Sequence, residues 1–472
     1  MNEQSLLPTR YLSAALTVVI IAGVVAWDVG GISIGREAAR AALLAFVVTE
    51  ARSLVRGGRI MLGVCLTATA AAVAWQPDPL ALLCRALDDA AFIVALFASL
   101  SLLRDAAETS RLVQSCGEWM VRQPPGRRYL VLSVGSHLFS LVLNFGVLPL
   151  LGTMILKGNT LEAAGGDPRI AAIRQQRMMT AVLRGYCMMT VWSPLSVAFA
   201  VTQVSVPGIA WWRLLPLQVV LAILLMALGW LCDRREFAHI PIARTAELVD
   251  DDRRPLIALI ALITGVVVCS VAWAEALGVR PVVGAMMVVP VSALIWLTVQ
   301  HWHAGGLAAP LMAVRRLSHR LTVSMPAFRN EFVILGGAMF FGRMASAFLS
   351  PDVTARIIGF VPLPAVALSV LLAWGMMFLA HFGVPQIVTV TLLGSAVVNL
   401  TGLGIDPLVL ASGLMGAWSL SATTTPVGAA SLTVARLSGV STTTVARDWN
   451  GRFVRAGALL LAVWMLALAS VL

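Results

Sequence analysis

The chain has 472 residues, 59% of them hydrophobic and 12% charged, with a mean hydropathy of +0.88. A soluble globular protein could not conceal so much apolar surface, so the composition defines a polytopic membrane protein. The net charge of +11 is nearly all arginine, Lys157 being the only lysine. It is scattered over the loops between apolar runs, which fits the positive-inside rule and speaks against nucleic-acid binding.

In chain order, the first span is expected over Tyr11–Trp27. Only Arg10 precedes it and no small-x-small cleavage site follows, so it reads as a retained helix with a cytoplasmic N-terminus. A weaker span, Ile32–Thr49, holds Arg36, Glu37 and Arg40, and Arg52, Arg56 and Arg59 mark a cytoplasmic loop after it. Ile60–Trp75 is the third span, and the fourth runs to Leu103 with Asp88 and Asp89 inside it. Residues 104–128 have the polar and apolar mixture of a helix lying in the interface. The apolar run Tyr129–Ile155 has basic residues at both flanks, so it enters and leaves on one side as a re-entrant hairpin with its tip at Asn144–Gly146. Thr180–Val204 is a span broken at Trp192-Ser193-Pro194, and Trp211–Cys232 returns to a long charged loop.

The second half repeats the plan, with spans at Leu256–Ala274, Pro281–Val299 and Glu331–Leu349 and a basic interfacial piece over 301–330. Leu363–Val398 is a second hairpin, broken at His381-Phe382-Gly383 and flanked by loops poor in basic residues. Pro407–Ala435 is a second broken span, followed by an arginine-bearing loop and a final span to Leu472. The expected fold is all-α, with about eleven transmembrane helices and two re-entrant hairpins. With the arginine loops on one side, the second half comes out upside down, an inverted-topology repeat. The expected divisions are an extra N-terminal helix (1–31), a first repeat (32–232), a cytoplasmic linker (233–255) and a second repeat (256–472).

The second broken span carries the strongest signal. Its middle reads Ser419-Leu420-Ser421-Ala422-Thr423-Thr424-Thr425-Pro426. Proline brings no N–H to the turn before it, and in lipid a broken helix survives only when buried in protein or lining a wet cavity. Two half-helices meeting at mid-membrane would present free N–H groups and a positive dipole end to an anion. Their freed carbonyls suit a cation. Met189-x-x-Trp192-Ser193 repeats Met415-x-x-Trp418-Ser419, and Asn144-Phe145-Gly146-Val147 pairs with His381-Phe382-Gly383-Val384 upstream. Paired interrupted segments at matching places in two halves point to the binding site of a secondary transporter.

On these features the plan resembles the divalent anion/sodium symporters of the ion transporter superfamily, to which arsenite-efflux and citrate carriers are related. The resemblance covers residues 32–472 in topology. It implies an elevator-like movement of a transport domain and a homodimer. In those symporters each hairpin tip carries Ser-Asn-Thr, which holds sodium and substrate carboxylates. Here the tips differ, and only Asn144 could stand for the motif's Asn.

The candidate substrate- or ion-binding residues are Asn144, Gly146, Ser193 and Ser196 in one half-site. His381, Gly383, Ser419, Ser421, Thr423, Thr424 and Thr425 form the other. Hydroxyls and amides at helix ends can hold an anion without a fixed charge, or coordinate sodium; they can also simply cap the half-helices. His381 could carry a coupling proton. Asp88, Asp89, Glu331, Arg184 and Arg343, near span ends, read as scaffold. The six cysteines (65, 84, 116, 187, 232, 269) form no C-x-x-C pair and read as packing residues, not as a metal site.

The expected function is ion-coupled transport of a small anion, such as an organic acid, across a bacterial cytoplasmic (inner) membrane. No cofactor is expected beyond a coupling Na⁺ or H⁺. Alternatives are efflux of a metalloid oxyanion and cation/proton antiport, though neither break offers the antiporter a carboxylate. An intramembrane enzyme acting on a lipid-linked substrate has only Asp88-Asp89 as its foothold.

Overall fold

A computed structural model describes residues 7–206, 208–238, 254–349, 356, 363–400 and 404–472, with no side-chain description for 7, 8 and 395–400. Most of the expected linker, 239–253, lies outside the described residues. The described secondary structure is all helix: α1 Leu7–Gly30, α2 Ser33–Glu50, α3 Arg56–Trp75, α4 Pro79–Glu108, α5 Arg111–Val121, α6 Pro125–Leu143 and α7 Val147–Gly158. There follow α8 Pro168–Trp192, α9 Val197–Ser205, α10 Trp211–Glu236, α11 Arg254–Leu277, α12 Pro281–Gly305, α13 Ala309–Ala327 and α14 Arg329–Ser346. The chain closes with α15 Ala365–His381, α16 Gln386–Leu400, α17 Pro407–Thr424, α18 Ala429–Ser438, a π-turn Thr444–Trp449 and α19 Gly451–Val471.

The starts of three long helices share one local cause. Asp78, Asp167 and Asp406 each accept backbone N–H bonds at the first turn of α4, α8 and α17, and each is followed by proline at the first helical position. The carboxylate satisfies donors the helix leaves open, and proline needs no donor there.

The protein is an all-α polytopic membrane protein. Among the described residues nine stretches are long and apolar enough to span a bilayer, one of them the first hairpin, Pro125–Gly158. The count differs from the expected one because α2, α14 and α17 are not among these stretches, while the first hairpin is. Helices α2 and α14 have 18 residues each, enough to cross, but carry Arg36, Glu37, Arg40 and Glu50, and Arg329, Glu331 and Arg343. All of those charges but the exposed Glu331 have ion-pair partners. Asp88 on α4 takes both Arg36 and Arg40, and Asp89 takes Arg343. The interfacial reading of 104–128 also shifts: α4 continues to Glu108, and the short α5 then buries Cys116 and sets Met120 against Gly135 of the first hairpin.

Packing pairs in the first half recur in the second. Helix α6 lies on α8 as α15 lies on α17, and α8 on α10 as α17 on α19. The second arm of each hairpin packs on the short half-helix of the other half, α16 on α9 and α7 on α18. Helix α3 lies on α14 as α12 lies on α4. Where α6 meets α8 the backbones come close enough that a Cβ on Gly185 would stand 2.1 Å from the carbonyl oxygen of Ser133. The interrupted helices and hairpins thus form one bundle, while α1–α4 and α11–α14 pack chiefly with one another.

Candidate functional site

Both predicted interruptions exist. Helix α8 ends at Trp192 and α9 begins at Val197; α17 ends at Thr424 and α18 begins at Ala429. The two long segments pack together, and Ser419 Oγ donates to the carbonyl of Cys187 at 2.8 Å.

At the first break side chains answer several of the freed groups. Ser193 Oγ accepts from the N–H of Leu195 at 3.1 Å, and Ser196 Oγ accepts from the N–H of Phe199 at 3.2 Å. Ser196 Oγ also donates to the carbonyl of Ser193. Leu195 N–H would otherwise serve the carbonyl of Val191, four residues back. That carbonyl instead accepts from Gln218 Nε2 on α10 at 2.9 Å, and Gln218 Oε1 accepts from Ser412 Oγ at 2.7 Å. Trp464 Nε1 completes the chain by donating to Ser412 Oγ. Ser193, Ser196, Gln218 and Ser412 are fully buried.

The second break is built differently. Ser421, Thr423, Thr424 and Thr425 donate back to carbonyls of their own helix, at Trp418, Leu420, Leu420 and Ser421. Pro426 then interrupts the ladder. The N-terminus of α18, at Gly428, has no side-chain cap. Val427, beside Pro426, is 59% exposed. The tip of the second hairpin closes over this corner. Gly383, with φ of +90°, leaves space beside Val427 Cγ2, 3.4 Å from where its Cβ would be. Gln386 Nε2, at the start of α16, donates to Ser421 Oγ at 3.2 Å. His381 Nε2 lies 3.5 Å from Arg447 Nη2 of the π-turn, and Phe382 is 70% exposed.

The first hairpin tip faces a different partner. A Cβ on Gly146 would stand 3.1 Å from Arg104 Nε and 3.3 Å from Glu108 Oε1, an ion pair on α4. Asn144 has φ of +49° and ψ of −127°, alone among described non-glycine residues in having positive φ. Such a conformation is costly without glycine and marks a constrained position. The Asn144 amide is partly exposed and makes no hydrogen bond among the described residues.

Several expectations change accordingly. Ser193, Ser196, Ser419, Ser421, Thr423 and Thr425 are at the breaks but buried, with their hydroxyls engaged by backbone groups, so they hold the breaks in shape. Thr424 alone of the hydroxyl run is partly exposed. His381 is not the counterpart of Asn144: positive φ falls at Asn144 in one tip and at Gly383 in the other, two residues further on. Glu331 is exposed, and Asp89 pairs across to Arg343. Gln386, Gln218 and Arg447 escape the sequence reading. Gln386 was discoverable as the polar residue directly after Pro385, and Gln218 as a lone amide in an otherwise apolar helix.

Interrupted helices that pack on one another, each attended by a helical hairpin and with packing pairs that recur in the two halves, set this chain in a class of polytopic membrane folds. The structure of the YdaH transporter from Alcanivorax borkumensis, described as having an unusual topology, is similar over 87% of this chain and 98% of that one, with a TM-score of 0.53 and 15% sequence identity. At that identity the likeness is one of fold. Neither a family model nor a curated protein matches the sequence.

Proposed function

We propose that this protein is a secondary transporter of a small anion, coupled to a Na⁺ or H⁺ gradient, with the second break as its anion site. The observation that carries this reading is the open corner after Pro426. There an uncapped helix N-terminus, the Gln386 amide, His381 and the Arg447 guanidinium gather around a partly exposed turn. Free N–H groups at a helix start and a nearby cation favour negative charge. A planar guanidinium adds the geometry a carboxylate prefers. The fold shared with a transporter supports the general class. In this reading the two halves are oppositely oriented in a cytoplasmic membrane, with the arginine-rich loops inside. The hairpins and broken helices travel as one body against α1–α4 and α11–α14.

The test is counterflow and gradient-driven uptake in proteoliposomes of the full chain, with radiolabelled succinate and citrate as probes. Uptake that responds to an imposed Na⁺ or pH gradient and falls in Gln386→Ala supports the reading. Equal uptake by the protein and by empty liposomes under every gradient overturns it for these organic acids.

A further inference from the structure

Away from the breaks, the ends of α1, α2, α12 and α14 and the first turns of α4 enclose a cavity of about 260 Å³. Holding a single water takes on the order of 15 Å³ of such space. Its wall is charged. Arg343 Nε meets Asp89 at 2.5 Å; Arg36 and Arg40 share Asp88 at 2.5 and 2.6 Å; Arg40 also meets Glu37 at 2.7 Å. Arg280 reaches Asp28 only loosely, at 3.3 Å. These four carboxylates are therefore all engaged, and a fifth guanidinium is left over. Arg85 lines the cavity, is exposed, and has no ion pair or hydrogen bond among the described residues.

The other guanidinia are held in place with donors to spare. Arg36 lies over the Trp27 ring and Arg280 over the Phe92 ring, each 4.5 Å from the centroid. Stacking fixes the guanidinium plane and leaves its edge free, and each arginine has five N–H donors. Arg36 spends Nε and Nη2 on Asp88, and Arg280 spends Nη2. The surplus of one positive charge, the unpaired Arg85 and the fixed, unused donor edges make a set of groups suited to an oxyanion, which accepts several N–H bonds at once.

We propose that this cavity binds a small oxyanion, a sulfate, phosphate or carboxylate group, through Arg85 together with the free edges of Arg36 and Arg280. Val204, at the end of α9, also lines the cavity, so occupancy touches the tail of the first broken helix. The inference stands whether or not the second break carries substrate. The same chemistry could come from free anion or from the phosphate of a lipid head group.

Trp27 is a reporter built into the wall. The full chain in nonionic detergent is titrated with sodium sulfate against sodium chloride at matched ionic strength, and the Trp27 signal is taken as the fluorescence difference from Trp27→Phe. A parallel titration uses dihexanoylphosphatidylglycerol. A saturable Trp27-dependent change is expected, weakened about tenfold or more in Arg85→Gln and unaltered in Gln386→Ala. Saturation by sulfate assigns a solution anion; saturation by the lipid alone assigns a head group. Arg85 is exposed, so its variant should fold, and Arg280→Gln gives a second reading at the same wall. No saturable change with either probe, or the same affinity in Arg85→Gln and the parent, overturns the proposal.

Discussion

The two interrupted helices share a motif and differ in how they treat it. At the first break the serines cap the following half-helix, Gln218 takes up the carbonyl left free at Val191, and everything is buried. At the second the hydroxyls bond backward, the next half-helix starts uncapped, and Val427 and the hairpin tip stand exposed. The difference extends along the helices. Arg184 lies nine residues before Ser193, the C-cap of α8, and Gly416 lies nine before Thr425, the C-cap of α17. Arg184 is buried and bonds Asn450, Tyr129 and the carbonyls of Gly229 and Trp449, with its guanidinium over Phe453. Gly416 has no side chain to bond with. Corresponding elements have divided the work: one break is a fastened joint, the other an open one.

The largest test of that contrast is Arg184→Ala. It strips partners from several buried acceptors, each worth about 1–3 kcal/mol when left unsatisfied, so a loss of at least about 3 kcal/mol is expected. Thermal unfolding in detergent measures it. Leu410→Ala, a cavity at a fully buried position of α17, should cost about 2–5 kcal/mol through packing. Unlike Arg184→Ala, it should leave proteolytic protection of the Thr444–Trp449 turn intact. Equal loosening of that turn in both variants would remove the distinction.

Next in size is Gln386→Ala. Its amide touches the open break through Ser421 and is only partly buried, so the melting temperature should move little. Anion uptake should fall about tenfold, the worth of one charge-assisted or amide hydrogen bond of roughly 1.4 kcal/mol. If stability falls and uptake per folded molecule does not, Gln386 is a strut and the open corner loses its role.

How much of this could be read from residues alone depends on what each feature rests on. The breaks were legible because proline removes a donor wherever it stands; the repeated Met-x-x-Trp-Ser ends at the first break, but its second copy stops inside α17, six residues before Thr425. The Asp-Pro pairs at 78, 167 and 406 mark helix starts by equally local chemistry. The direction of a serine or threonine hydroxyl was not legible. It can bond a carbonyl three or four residues back or face a cavity, and sequence spacing is the same in both cases. So Thr423 and Thr425, expected to line a site, turn out to brace their own helix. The tip alignment misled for a related reason. The shared Phe-Gly-Val sets His381 opposite Asn144, but the second turn places its positive φ at Gly383. The charged cavity gathers Asp28, Arg85, Arg280 and Arg343 from four separate helices, and no local pattern announces such a meeting.

Two smaller substitutions exchange the characters of the breaks. Ser196→Ala removes the cap of α9 and should cost about 1 kcal/mol, seen as a lower unfolding midpoint, with uptake per folded molecule unchanged. Gly428→Ser does the reverse. Gly428 has φ of −72° and ψ of 140°, an extended conformation that serine adopts freely and that places its oxygen to cap α18. Its Cβ would stand 3.1 Å from the carbonyl oxygen of Thr425, so the turn must yield slightly, and crowding offsets the gain from the new cap. Net stability should change by no more than about 0.5 kcal/mol. Uptake should nevertheless fall, because the hydroxyl occupies the N–H groups an anion would use. Affinity read from uptake should weaken while the maximal rate per folded protein changes less. Uptake by Gly428→Ser at the parental affinity would mean that the free start of α18 does not meet the substrate, and the asymmetry between the two breaks would then be one of packing alone.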